Sequence, residues 1–164
     1  MAIDYFIKLD GIDGESEDKS HTNWIDVLSF SWGATQPGSF GHGQGGTVGK
    51  VSMSDFSFSM QTSKATPAML KACASGKHIA SAILVCRKAT GDGGQMDYMT
   101  WTMKPIIVSS YQTGGSSGAD IPIDSVSINY ESVKIEYKTQ TDTSGALSAV
   151  PSFEWNVSKN TPSS

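Results

Sequence analysis

One short helix, with both ends marked, is set into a chain whose remaining pattern is strand and turn. It lies in the segment from Lys64 to Gly91, KATPAMLKACASGKHIASAILVCRKATG. Thr66 reads as the N-cap, because its hydroxyl can accept from a free N–H of the first turn. Pro67 falls at the first helical position, where a missing N–H costs nothing. Met69, Leu70 and Cys73 share one face, and Gly76 suits the left-handed position after the last turn. The spacing predicts a helix over 67–75. A helix that short is marginal alone in water, so it must lean on a sheet.

The rest alternates with a period of two. Tyr5, Ile7 and Leu9 form one strand face. Trp24 to Trp32 reads as a single strand, with Leu28, Phe30 and Trp32 toward the core and Ser29 and Ser31 away from it. Gly33 to Lys50 reads as a long Gly-rich loop, of the kind that is usually functional or mobile. Val51 to Gln61 changes parity, which predicts a bulge near Ser54–Asp55 or burial on both faces. Ile121 to Tyr130 changes parity too. Ile79 to Arg87 is apolar on both faces and should be well covered. GDGG at Gly91 to Gly94 and GGSSG at Gly114 to Gly118 mark turns. Pro105 separates two further strands, Val133, Ile135 and Tyr137 make a one-sided one, and Phe153, Trp155 and Val157 a last one. The expected fold is mainly β: a two-sheet barrel or sandwich of about eight or nine strands with one helix. It forms a single domain over 1–157, followed by a flexible tail at 158–164.

At 164 residues and a net charge of −4, the chain can bury one real core but carries no clustered Lys and Arg to hold nucleic acid. No apolar run is long enough to span a membrane. Met1 to Asp10 shows no signal-peptide pattern, so a cytoplasmic start is expected, with any export by a route that needs no cleavable signal. Cys73 and Cys86 are expected to be buried free thiols, because a disulfide framework or zinc site needs more ligands than these.

Several motifs have a bland reading that wins. Gly41-His42-Gly43-Gln44-Gly45-Gly46 matches the dinucleotide pattern, but a strand follows where a helix must hold the pyrophosphate. Gly114-x-Ser116-x-Gly118 matches the nucleophile elbow, but it joins two strands and so lacks the strained strand-to-helix turn. His21, His42 and His78 are not at metal spacing. Asp13, Glu15, Glu17 and Asp18 lack the ordered spacing of a calcium loop. Asn156-Val157-Ser158 is a glycosylation sequon with meaning only in a eukaryotic secretory route. No catalytic, cofactor or metal residue is assigned.

Six strings stand in order along the chain: DYFIKLDGIDGES (Asp4 to Ser16), WIDVLSFSWG (Trp24 to Gly33), GKVSMSDFSFS (Gly49 to Ser59), TPAMLKACASGKHI (Thr66 to Ile79), VSSYQTGG (Val108 to Gly115) and EWNVSKN (Glu154 to Asn160). Together they resemble the haemolysin-coregulated protein (Hcp) family, the tube-forming component of bacterial type VI secretion. The resemblance implies a two-sheet barrel with a helix at its side. It also implies six copies in a ring, and rings stacked into a tube. A contractile sheath drives that tube, tipped by a spike protein, and small effectors ride in the lumen. The protein would then be cytoplasmic before firing and extracellular or inside a target cell afterwards. On this reading Ser29 and Ser31 are expected to face the lumen and touch cargo, and the loop residues Gly41, His42, Gly43, Gln44, Gly45 and Gly46 to reach the next ring or subunit.

Two other classes stand beside this one. A small β-barrel module for carbohydrate or another ligand would expose an aromatic platform, whereas Trp24, Trp32, Trp101 and Trp155 fall within strands, where core packing is the expectation. A hydrolase built on Ser116 or a histidine would need a base and an oxyanion donor beside the nucleophile.

Overall fold

The computed structural model describes residues 3–40, 47–89, 94–140 and 147–162. In chain order the elements are β1 (Ile3–Leu9), β2 (Ile25–Val27), β3 (Ser29–Ser31), β4 (Ala34–Thr35), β5 (Gly38–Ser39), β6 (Thr47–Val48), β7 (Ser52–Met53), β8 (Phe56–Gln61) and α1 (Ala65–Ser75). They continue with β9 (Ala82–Ala89), β10 (Gln95–Gly114), β11 (Ile123–Gln140), β12 (Leu147–Ala149) and β13 (Phe153–Asn156). One large antiparallel sheet runs β2-β1-β9-β10-β11-β8-β3, with β12 and β13 also paired to β11.

The two ends of that order are neighbours in the chain. Only Leu28 separates β2 from β3, and its N–H donates to the Ser59 carbonyl (2.8 Å). The sheet therefore curls round into a nearly closed, flattened barrel. This corrects the single strand expected from Trp24 to Trp32. Ile25 and Val27 are buried, the parity switches at Leu28, and Phe30 then packs inward. Leu28, expected in the core, is 49% exposed because it sits at the crossing. Phe30 meets Tyr5 (5.2 Å), Phe56 (5.7 Å) and Trp101 (5.1 Å between ring centroids), so both walls of the barrel share one aromatic centre.

The parity break at Ser54–Asp55 resolves by a change of partner. At Ser54–Asp55 the chain leaves β7, which pairs β4, and enters β8, which pairs β3 and β11. From Ile121 into β11 the alternation is unbroken: Asp124, Val126, Ile128 and Tyr130 are buried, while Ile121, just before the strand, and Ile123 point out. Pro105 does not end a strand: β10 runs through it, with Lys104 opposite Ser132 and Ile106 opposite Tyr130. A bulge between Val108 and Ser110 keeps Val108 and Tyr111 inward on either side of it. The two-faced strand is as expected: Leu84, Val85, Cys86 and Arg87 of β9 are buried in succession.

Helix α1 starts two residues before Pro67, and Lys64 occupies its N-cap with no side-chain hydrogen bond. Thr66 is not the cap. Its hydroxyl instead donates to Asp124 (2.7 Å) and accepts from the Ser63 N–H (3.1 Å), while Ser63 Oγ accepts from the Ala65 N–H (3.2 Å). A buried carboxylate outcompetes a local cap because a charge-assisted bond is stronger. Gly76 takes the left-handed conformation that ends the helix, at φ 64°. The packed face is Ala65, Met69 and Ala72; Leu70 is 50% exposed and Cys73 half-buried. Small residues at 65 and 72 let the helix lie close against β10.

The Gly-rich segment after β3 is an arm, not a featureless loop. β4 pairs β7 at its root and β5 pairs β6 further out. Gly49 lies so close to Pro37 that a Cβ there would meet the proline ring at 2.7 Å. The root is pinned by Ser54, whose Oγ accepts from the Gly33 N–H and donates to the Gly33 carbonyl (both 2.9 Å). Trp32 Nε1 donates to the Tyr130 hydroxyl, which donates to the Ser54 carbonyl. Gly41 to Gly46 and the first three residues of the GDGG turn, 91–93, lie outside the described residues.

Candidate functional site

The most unusual surface is a four-strand patch, β3-β8-β11-β10, paved with hydroxyls. Register alone builds it. Ser29 lies opposite Ser59, which lies opposite Ser125, which lies opposite Gln112. Two residues along, Ser31, Ser57, Ser127 and Ser110 make a second such row. The residues between them in sequence, Phe30, Phe58 and Val126, turn to the core, so the serines must turn out.

Hydroxyls pair across strands: Ser29 Oγ with Ser59 Oγ (2.6 Å), and Ser57 Oγ with Ser127 Oγ (2.8 Å). The side chains of Ser31, Ser110, Ser125 and Gln112 have no hydrogen-bond partner among the described residues and are available to a ligand or to water. None of the eight is charged. Together they line an open groove of about 350 Å³. In the next row Asp55 accepts from Ser109 Oγ (2.6 Å) and Asn129 Nδ2 (3.0 Å). The sequence singled out Ser29 and Ser31 and missed their six companions, because cross-strand register is invisible until strands are paired.

Both long edges of this patch are open among the described residues. β3 has a ladder partner only in β8, and from Val108 to Gly114 β10 has one only in β11. An open edge with unpaired N–H and C=O groups is a template for another strand.

A second polar cluster, also unseen in the sequence, is structural. His21, 3% exposed, faces Asp18 through Nδ1 (3.0 Å) and Asp97 through Nε2 (3.1 Å). Arg87 donates from Nη1 to both Asp18 oxygens (2.9 Å) and from Nε to Asp97 (3.2 Å). The ring of His21 stacks on Phe6 (4.8 Å) and meets Trp24 edge-on (4.8 Å). Burial pushes the Asp18 carboxyl up, but hydrogen bonds from His21 and the Ser20 N–H and the charge of Arg87 outweigh it and hold it below the usual carboxylate value. The cluster clasps the segment from Gly11 to Trp24 over the outer face of β9, which is why that strand is covered on both sides.

The remaining candidates are dispersed. Ser116 sits in an exposed turn closed by the Ala119 N–H to its carbonyl (3.0 Å), and no hydrogen bond joins it to a histidine among the described residues. His78 is exposed after the helix. Cys73 and Cys86 are free, and burial followed by the nearby Asp97 charge pushes the Cys86 thiol up to about 12. Trp101 is buried, and Trp24, Trp32 and Trp155 are half-buried. Among the described residues, no helix is long and apolar enough to cross a membrane.

Residues 6–137 match the family described as type VI secretion system effector, Hcp. The chain is 44% identical over 161 residues to protein hcp1 of Pseudomonas aeruginosa, covering 98% of each. A solved type six secretion system protein superposes with a TM-score of 0.91 at 30% identity, covering 99% of this chain and 100% of its own. Hcp1 from Salmonella typhimurium superposes with a TM-score of 0.77 at 35% identity, covering 99% of both. Fold, length and sequence agree along the whole chain, and the protein belongs to the Hcp family of secreted type VI secretion tube subunits.

Proposed function

We propose that six copies of this chain close into a ring with the serine-paved face turned inward, and that rings stack into a hollow tube carrying small secreted effectors. The observation that carries this reading is the four-strand patch with two open edges and one hydrated, uncharged face. Joining the β10 edge of one copy to the β3 edge of the next is a heterologous contact, and a heterologous contact closes into a ring when its rotation divides the circle. The joined patches then form one continuous inner wall. A wall of neutral hydroxyls stays wet and offers no apolar patch on which cargo would stick during passage.

The partners of such a tube are its own copies, a contractile sheath outside, a spike protein at the tip and the effectors inside. Its place is the bacterial cytoplasm before firing and the extracellular space or a target cell afterwards. Mass photometry with negative-stain microscopy tests the ring: particles of about six times the 17.4 kDa chain with six-fold class averages are expected, and a monomer at micromolar concentration overturns the reading.

Two results follow from this assembly. Ser31→Gln fills a free hydroxyl position in the groove with a longer amide in every copy. Rings should survive, while co-purification of an effector exported by the same system should fall about tenfold, which one to two hydrogen bonds supply. Unchanged effector retention would remove Ser31 from the cargo contact. Deleting Gly41 to Gly46 from the arm should shorten tubes while leaving ring mass unchanged, as measured by microscopy and mass photometry. The glycines suit a contact that orders on assembly.

A further inference from the structure

We infer that Asp55 makes the serine wall selective for charge, so that the cargo it holds best is a small protein with a basic surface. This rests on the tube reading above and adds the chemical class of the cargo and the residue that selects it.

The eight residues of the two paved rows carry no charge, and the first charge beyond them is Asp55. Asp55 precedes the fully buried Phe56, so it turns to the same side as Ser57 and Ser59. Its partners fix that side independently. Asn129 is exposed between buried Ile128 and Tyr130, and Ser109 is exposed at the bulge of β10. One carboxylate oxygen of Asp55 accepts from Ser109 Oγ (2.6 Å) and the other from Asn129 Nδ2 (3.0 Å). Among the described residues no basic side chain forms an ion pair with it. Two neutral donors thus hold the group in place and leave its charge uncompensated.

The rest of this outward face does nothing to cancel it. Neither β3 nor β8 carries a charged residue, and neither does β10 from Ile107 to Gly114. The one charge of β11 between Ile123 and Tyr130 is Asp124, which is fully buried. Beyond Asp55 the next charge on β11 is Glu131, exposed and of the same sign. The exposed cations, His78 and Lys104, belong to the groove past Asn129, His78 in its lining and Lys104 just before Pro105.

Copies turned the same way in a ring bring every Asp55 to one level of the bore. A cargo there meets several carboxylates at once, which turns a weak single contact into retention. Low-dielectric walls focus the field of those charges into the water between them. An acidic cargo is repelled at the same level. The unpartnered side chains of Ser31, Ser110, Ser125 and Gln112 both donate and accept, so they hold polar groups of either sign. Charge therefore sorts the cargo, and the hydroxyls and amide hold what is admitted.

The test uses rings of the full chain at low ionic strength, mixed with cationic cytochrome c or with its succinylated, anionic form. Haem absorbance co-eluting with the rings reports retention, and mass photometry reports ring mass. The cationic form should be retained at least tenfold better than the anionic one, and about 1 M salt, where screening acts within about 3 Å, should release it. Asp55→Asn keeps an acceptor for Asn129 and should lower retention of the cationic form about tenfold with ring mass unchanged. Asp13→Asn makes the same change of net charge in the exposed segment over β9 and should have no effect. Ser125→Asp, which adds a carboxylate at an exposed wall position, should raise retention in the unaltered chain and restore it in Asp55→Asn. Equal retention of the two forms, retention that survives 1 M salt, rings that retain neither form, an equal loss in Asp13→Asn, or no gain from Ser125→Asp would each overturn the proposal. Absence of rings from the unaltered chain would instead overturn the tube reading itself.

Discussion

Asp124→Ala is expected to destabilise the fold by about 3 kcal/mol, with helix α1 loosening first. The carboxylate is fully buried and joins three segments: it accepts from Thr62 (3.0 Å) just after β8 and from Thr66 (2.7 Å) in the helix, and it lies opposite Thr113 of β10. Burial pushes its carboxyl up, but hydrogen bonds from Thr113, Thr66 and Thr62 outweigh that and hold it below the usual value of 3.8. A carboxylate held low contributes its full stability above the unfolded value near 3.9 and loses it as pH falls through the folded value. Denaturant unfolding at constant protein concentration should therefore show a wide gap between the two proteins at pH 7 that narrows below about pH 4. A gap independent of pH would mean that Asp124 acts through packing alone.

The second large effect is expected from Arg87→Met. It leaves Asp18 and Asp97 facing each other across His21 with one cationic partner removed. Breaking a fully buried pair costs about 3–5 kcal/mol, but these carboxylates are 21% and 34% exposed, and solvent screening lowers the expectation to about 2 kcal/mol. Hydrogen exchange should show the segment from Gly11 to Trp24 losing protection together with the outer face of β9, while the serine wall is unchanged. The surface pair Lys134–Glu154 (3.4 Å) is the control, since its side chains are 41% and 29% exposed and its removal should cost under about 0.5 kcal/mol. Loss of protection spread evenly over the barrel would show that the cluster is no local clasp.

Local pattern reached some positions and missed others for physical reasons. Gly76 was legible because only a residue without Cβ ends a helix cheaply in the left-handed region. The two-faced burial of β9 was legible from consecutive apolar residues, although what covers it was not. Leu28 and Leu70 were misplaced because hydrophobicity marks what prefers burial, while the chain's crossing point and the two small helix residues Ala65 and Ala72 decide what obtains it. Thr66 was misread as a cap because its partner Asp124 lies 58 residues away. His21 showed only that it is not at metal spacing, since Asp97 and Arg87 reach it only once β9 and β10 pair.

Ser29 and Ser31 show the same division on the functional face. Alternation with Phe30 was enough to turn them away from the core. It could not show that β8, β11 and β10 bring serines into the same two rows, nor that the patch ends in two open edges. By itself the sequence determined the class of fold, the place of the helix, the outward turn of Ser29 and Ser31 and the family. Tertiary structure decided which outward residues share a wall and which carboxylate holds the helix. Periodicity is a property of neighbours in the chain, whereas register and closure depend on strands that meet only after folding.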